Sequence, residues 1–223
     1  MVGSGVDTKT GTNQHMEQQF KKQEDKEHYL FQVYSYPGRW VSYYLQIACT
    51  LDPIPASVLE VGVGDGVFGR YLEETAHVPY TSVDIADDLH PDILGSITDL
   101  PIANDTYDTA CCFQVLEHLP FEVFERSIKE LSRVAQRKII ISVPDCRPYF
   151  KFQIKLPLFP AFNRIIKLPF THRVRLGSGH QWEIGYPGFP LERVREILGR
   201  HGRLVRDFVP VENPYHHFFV LEK

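Results

Sequence analysis

Carboxylates, glycines and histidines that could do chemistry fall in four short stretches of this 223-residue chain. The first is an apolar run, Val58, Leu59 and Val61, that carries Glu60 and then breaks into Gly62, Gly64 and Gly66. A helical pattern resumes at once with Phe68, Arg70, Tyr71 and Leu72. A buried strand that enters a glycine loop and then a helix lets backbone approach a ligand closely, because no Cβ intervenes. The dinucleotide fingerprint needs G-x-G-x-x-G, but here Val67 takes the third position and the extra glycine comes one residue early. An acid inside the strand suits a ligand with a cationic amino group and would repel a pyrophosphate. The second stretch, 79–85, predicts a short strand ending in Asp84, 22 residues beyond Gly62 (84 − 62). An acid at that distance can accept both hydroxyls of a ribose, and Ile85 would offer an apolar face to an adenine ring. The third is Ile97 to Ile102, in which Asp99 precedes a Leu100-Pro101 turn. The fourth, Thr109 to Leu119, begins as a buried strand and ends in Gln114-Val115-Leu116-Glu117-His118, just where a crevice would open.

In order and spacing these motifs resemble the class I S-adenosylmethionine-dependent methyltransferases, in particular the type 11 group. The resemblance is close from about residue 56 to 145 and holds in outline elsewhere. It implies S-adenosylmethionine as cofactor and S-adenosylhomocysteine as product. It implies that Gly62, Gly64 and Gly66, with Asp65 among them, approach the methionine and ribose, and that Glu60 orients the amino group. Asp84 and Ile85 then hold ribose and adenine, Asp99 with Leu100 meets the adenine amine, and Phe113 and Gln114 line the crevice. Arg39 or Tyr36, from an N-terminal region that caps the pocket in similar enzymes, is a candidate for the donor carboxylate. Some relatives, the ubiquinone-pathway O-methyltransferases among them, carry Glu-x-x-Glu-His after the fourth strand. This chain has Gln114 at the first of those positions, and an amide is a poorer ligand for a hard cation than a carboxylate. No essential metal is therefore expected.

A sulfonium methyl is already activated, so an acceptor attacks it in line while the protein holds both reactants and excludes water. A base is needed only where the acceptor has a proton to lose. His118 is the first candidate, since imidazole titrates near neutrality, and His180 is the alternative. For either histidine, and for the Gly179–Gly185 segment around His180, a packing role is an equally open reading.

Elements must position these residues. Helix-forming residues 16–35 and a helix from Arg39 to Ala48 with Trp40, Tyr43 and Tyr44 come first. Then follow strand 56–61, helix 67–76, strand 80–84, a turn region, strand 108–113, helix 121–135, strand 138–143, helix 190–201 and strands 203–211 and 216–221. The alternation predicts an α/β fold with a mostly parallel sheet and helices on both faces. The last two strands read as a hairpin with one antiparallel strand. The resemblance makes this a three-layer, Rossmann-like, seven-stranded sheet, with N-terminal helices over 16–50 and a lid insertion over 145–189. From Asp145 to Gly185 there are seven Lys or Arg against two acids, a local balance of +5 (7 − 2) in a chain of net −4. Phe150, Phe152, Phe159, Phe162 and Phe170 interleave with those charges. An apolar and cationic lid suits an anionic or amphiphilic acceptor, such as a phosphate- or carboxylate-bearing sugar or a lipid-linked intermediate met at a membrane surface. A dimerisation element is the plainer reading.

Composition agrees with one domain of 16–223 behind a disordered lead of 1–15. A hydrophobic fraction of 43% supports a core, and net charge −4 gives no global nucleic-acid signature. Cys49, Cys111, Cys112 and Cys146 lack metal-ligand spacing and read as free thiols of a reducing, cytoplasmic compartment. No apolar run reaches the roughly 18 residues of a membrane span. A nicotinamide-dependent oxidoreductase and a non-catalytic protein that keeps the nucleotide fold are the competing functions. Val67 and Glu60 argue against the first.

Overall fold

The structure, a computed structural model, describes residues 26–169, 175–177 and 179–223. The expected lead of 1–15, the first part of the expected N-terminal helix (16–25), Phe170 and Arg173 lie outside the described residues. Nine strands are described: β1 (Val58–Val61), β2 (Tyr80–Asp84), β3 (Ile93–Leu94), β4 (Tyr107–Phe113), β5 (Ala135–Pro144), β6 (Tyr149–Ile154), β7 (Phe162–Lys167), β8 (Arg203–Phe208) and β9 (His216–Glu222). Seven of them form one sheet in the order β3-β2-β1-β4-β5-β9-β8. β1 to β5 pair in parallel, and β9 runs antiparallel to both β5 and β8. This is the three-layer, Rossmann-like sheet that the sequence pattern and the resemblance predicted, with β9 as its antiparallel strand.

Both faces of the central strands are covered, so Val58, Leu59 and Val61 of β1, residues 110–113 of β4 and residues 139–141 of β5 are apolar without alternation, with Glu60 the polar exception among them. Period-2 geometry still divides their side chains. Leu59, Val61, Cys112, Ile139 and Ile141 face one core with Ile128, Leu131 and Val134 of the helix Phe124–Val134 and Val194 and Leu198 of the helix Leu191–Gly199. Val58, Cys111 and Ile140 face the other with Phe68, Leu72 and Cys49. The N-terminal helix Pro37–Thr50 begins on a proline, whose missing N–H costs nothing there. At its other end the buried Lys138 donates to the carbonyls of Cys49, Thr50 and Asp52 at 3.0, 3.1 and 3.0 Å, satisfying orphan acceptors with a cation.

Some boundaries differ from the expected ones. The helix after the glycine loop is α-helical only over Val67–Arg70 and continues as a π turn over Tyr71–Thr75. The described part of the expected N-terminal helix is a 3-10 turn, Lys26–Tyr29, and a four-residue helix, Phe31–Tyr34. β3 was hidden in the turn region because two residues carry no periodicity. Within the insertion, β6 and β7 form a separate antiparallel hairpin. Among the described residues no helix is long and apolar enough to cross a membrane.

Sheet order reverses at β1. The chain steps outward through β2 and β3 on one side and through β4 and β5 on the other, which opens a crevice at the C-terminal ends of β1 and β4.

Candidate active site

A cavity of about 840 Å³, partly open to solvent, occupies that crevice. Its floor is the end of β1 and the glycine loop, Val61, Gly62 and Gly64. Gly62 and Gly64 take φ of +95° and +57°, and a Cβ on Gly62 would lie 2.2 Å from Val115 Cγ2. Only glycine meets both demands at position 62.

The wall beyond β2 is Asp84, Ile85, Ala86 and Leu89. Asp84 is held rigidly: Oδ2 accepts from Val63 N at 2.8 Å and Oδ1 from Ala86 N at 2.9 Å. A carboxylate oxygen has two lone pairs, so each oxygen can take a further donor from the cavity. Gly95, Ser96 and Ile97 continue the wall, and Phe113, Gln114, Val115, His118 and Leu119 form the side beyond β4. Tyr29 and Tyr34 cover the mouth from the N-terminal turns. Gln114 sits at φ +55° and its Nε2 donates to Ser142 Oγ at 3.2 Å.

Of the residues singled out in the sequence, Gly62, Gly64, Asp84, Ile85, Phe113, Gln114 and His118 line this cavity. Glu60, Asp65, Gly66, Asp99, Leu100, Arg39 and His180 do not. Glu60 is buried beneath the floor, takes a hydrogen bond from Tyr80 Oη, and is pushed up to about 8 by burial. Asp65 ties the loop to the N-terminal helix: Oδ2 accepts from Tyr43 Oη at 2.6 Å and Oδ1 from Val67 N at 3.2 Å. Asp99 is exposed in a tight turn, with its N–H on Ser96 O at 3.0 Å, and Leu100 is buried in the core. Ser96 and Ile97 hold the wall position that the sequence reading gave to the residues after them. Arg39 stands behind the Tyr34 ring, its guanidinium carbon 4.0 Å from the centroid, and its Nε has no partner among the described residues.

Sequence reasoning also missed Gly69. A Cβ there would lie 2.5 Å from the Tyr80 ring, so this glycine, and not one in the loop, permits close helix–sheet packing. Its spacing from Gly62 was the available signal.

His118 and His180 meet across the rim with ring centroids 4.9 Å apart. Trp182 causes this approach. Its fully buried indole packs against Phe121 and Phe124 and donates to Leu116 O at 3.0 Å. Gln181 adds N–H to Glu117 O and Nε2 to His118 O, both at 2.7 Å. Nδ1 of His118 lies 3.2 Å from the Gly179 carbonyl, which selects the tautomer with the proton on Nδ1. Burial, and then the neighbouring His180, pulls His118 down to about 4, so it is neutral at pH 7. His180 Nδ1 lies 2.9 Å from Glu183 Oε1, which also accepts from Tyr215 Oη at 2.7 Å and Gly177 N at 2.7 Å. Each imidazole is thus oriented through Nδ1, His118 by the Gly179 carbonyl and His180 by Glu183.

Glu117 completes a group of three with ligand atoms within 4.8 Å of one another: Glu117, His118 and His180. Glu117 is buried, Oε2 has no hydrogen-bond partner among the described residues, and burial pushes its carboxyl up to about 8. Imidazoles oriented through Nδ1, beside a carboxylate with an unused oxygen, fit a divalent cation. The expectation of no metal considered Gln114 and did not foresee His180 joining Glu117 and His118.

A family model described as a methyltransferase domain, of type 11, matches residues 59–141. Among solved structures, the chain is similar to the N-methyltransferase NodS from Bradyrhizobium japonicum with S-adenosylhomocysteine (12% identity, TM-score 0.59, 94% of this chain and 97% of that one). It is similar to 1,6-didemethyltoxoflavin-N1-methyltransferase from Burkholderia thailandensis (14%, TM-score 0.57, 100% and 93%). It is also similar to magnesium protoporphyrin IX methyltransferase from Synechocystis with bound S-adenosylmethionine (17%, TM-score 0.56, 100% of both). No curated protein sequence matches the chain. Residues 59–141 thus match a methyltransferase domain, and the fold and motif order are those of the class I S-adenosylmethionine-dependent enzymes, which supports S-adenosylmethionine as the cofactor.

Proposed function

We propose that this enzyme methylates an oxygen or nitrogen of a small-molecule acceptor that enters past His118 and His180. The observation that carries the reading is the cavity itself. A glycine floor and an anchored Asp84 stand at one end, and a neutral, oriented histidine stands at the other. Asp84 takes the ribose hydroxyls, Ile85, Leu89 and Ile97 sandwich the adenine, and Ser96 faces its polar edge. The glycine floor takes the methionine portion, and Arg39 or the buried Glu60 acts on its ends through the Tyr34 and Tyr80 layers. A donor held in this way would present its methyl group on the His118 side of the cavity. Attack by the acceptor displaces the thioether, and the acceptor proton passes to Nε2 of His118 or His180. The Glu183–Tyr215 pair holds His180 and stabilises the imidazolium that results.

Two of the similar structures are named as N-methyltransferases, one of them of the small molecule didemethyltoxoflavin, which supports an acceptor of that size. Glycan and lipid-linked acceptors belong to the same reading, because the basic 145–189 segment adjoins the rim. Four free cysteines, three of them buried, support a reducing cytoplasmic compartment.

A metal-assisted variant is favoured by one observation, the convergence of Glu117, His118 and His180. A divalent cation held by these three would polarise an acceptor oxygen. Calorimetry with S-adenosylhomocysteine and with NAD tests the cofactor assignment: binding of the first and not the second is expected. Turnover of labelled S-adenosylmethionine on acceptor mixtures, with loss in a His118→Ala, His180→Ala double variant, tests the transfer. Donor binding with no turnover on any acceptor would return the chain to a binding role.

A further inference from the structure

The β6–β7 hairpin is built with its polarity reversed. In an antiparallel pair, directly opposed residues share a face. One face therefore carries Phe150 opposite Ile166, Phe152 opposite Arg164, and Ile154 opposite Phe162. All six residues are exposed. The other face carries Lys167, Ile165 and Asn163 of β7, which are partly buried, opposite the exposed Tyr149, Lys151 and Gln153 of β6, and Lys167 Nζ roots the hairpin by donating to Asp145 O at 2.9 Å and Arg147 O at 3.1 Å. The apolar face thus points away from the protein and the tethered face toward it. At the tip, Leu158 is fully exposed at φ +68°, a strained conformation for leucine, and Leu156 and Phe159 beside it are exposed.

Charge selects the occupant. Between Cys146 and Pro169 there are five basic residues and no acid. Arg147 and Lys167 pair with Asp145, while Arg164 stands on the apolar face and Lys155 follows it at the exposed tip. A second exposed set lies near the same root. Asn213 shares a cavity wall with Tyr149 and Lys167 and donates to Gly38 O at 3.3 Å. That contact brings in the start of the helix Pro37–Thr50, where Tyr36 and Trp40 are exposed. Aromatic side chains with polar tips, beside aliphatic side chains and lysines, suit the boundary between headgroups and acyl chains.

We propose that the outward face and tip of β6–β7 dock on an anionic phospholipid surface, with Leu156, Leu158 and Phe159 entering the acyl boundary and Lys155 and Arg164 meeting headgroups. This goes beyond the transfer reaction and does not depend on it. The active-site rim would then open beside the bilayer, where an amphiphilic acceptor resides.

Cosedimentation of the full chain with vesicles tests the proposal. Binding is expected to phosphatidylcholine vesicles that contain phosphatidylglycerol, weak binding to phosphatidylcholine alone, and release by about 0.5 M salt. Lys155→Gln with Arg164→Gln should lower binding roughly 25-fold, about fivefold for each charge. Leu158→Asp with Phe159→Asp should abolish it while S-adenosylhomocysteine affinity stays at the wild-type value, which also shows that the variant is folded. Failure to bind phosphatidylglycerol vesicles, or binding indifferent to the tip substitutions, would overturn the proposal. So would a dimer in light scattering that the tip substitutions dissociate, because a second copy would then cover the face.

Discussion

Replacing Gly62 by alanine separates the demands of the cofactor floor from those of an ordinary turn. Two penalties apply at this position. At φ +95° an L residue is strained by about 1–3 kcal/mol. The new Cβ would also lie 2.2 Å from Val115 Cγ2, where ordinary contact begins at 3.4 Å, so Val115 must retreat by at least 1.2 Å (3.4 − 2.2). Overpacking of that kind costs about 1–3 kcal/mol, giving a total of roughly 2–6 kcal/mol. Gly66 is the internal control. It has φ +71° and nothing within 4 Å of its Cβ position, so Gly66→Ala meets only the left-handed penalty of about 1–2 kcal/mol. At roughly 2–4 °C per kcal/mol for a domain of this size, Gly66→Ala should lower Tm by a few degrees and Gly62→Ala by roughly 5–20 °C. Val115 lines the cavity, so its displacement should also weaken S-adenosylhomocysteine about tenfold or more, read by calorimetry below Tm. Val115→Ala removes the clashing methyl and leaves Cβ at 3.5 Å, an ordinary contact. The Gly62→Ala, Val115→Ala pair should therefore regain part of the loss, the backbone strain remaining. Equal Tm and equal affinity for Gly62→Ala and Gly66→Ala, or no recovery in the pair, would refute the reasoning.

Asp84→Ala should weaken S-adenosylhomocysteine by roughly 100-fold or more, since two charge-assisted ribose bonds are lost; wild-type affinity in calorimetry would remove Asp84 from the site. Gln114 shares the cavity wall with His118, so Gln114→Glu adds a hard ligand beside Glu117 and should raise Mg²⁺ affinity about tenfold, whereas Glu117→Gln should lower Mn²⁺ affinity in the same titration. Burial alone would raise Asp145, but hydrogen bonds from His217 and Arg147 and the charge of Lys167 outweigh it and hold the carboxyl well below its ordinary value. A carboxyl depressed by folding stabilises the protein above its unfolded value of about 3.9 and loses that contribution as pH falls toward the folded value. Stability should thus drop below about pH 5, and Asp145→Asn should cost about 3–5 kcal/mol at neutral pH while flattening that acid slope in denaturant titrations.

Much of the cavity floor and its Asp84 wall was written locally in the chain. A strand, a glycine bend and a helix are consecutive in sequence, and the acid at the end of the next strand follows at a distance set by one helix and one turn. Gly62, Gly64 and Asp84 could therefore be set at the cavity by spacing, and the resemblance added Phe113 and Gln114 at the end of β4. The parallel direction of the central strands followed from the alternation of strands and helices and the strand number from the resemblance, whereas β3 was too short to show a period, and the outward apolar face of the β6–β7 hairpin imitates a buried strand. The choice between Ser96 and Asp99 lay beyond spacing, because one tight turn exchanges which residue faces the cavity. Glu60 was a second such case: its position on the strand was plain, but only the packed helix and Tyr80 show that it is sealed under the floor.

The rim is the part that tertiary structure alone decides. His118 and His180 are 62 residues apart (180 − 118), and no periodicity joins them. They meet because Trp182 buries its ring against Phe121 and Phe124 and because Ile184 bonds to Pro144 O along the edge of β5. Burial of a large aromatic is a non-local force, satisfied by whatever surface the rest of the chain presents, so its consequence for two distant imidazoles and Glu117 exists only in the folded molecule.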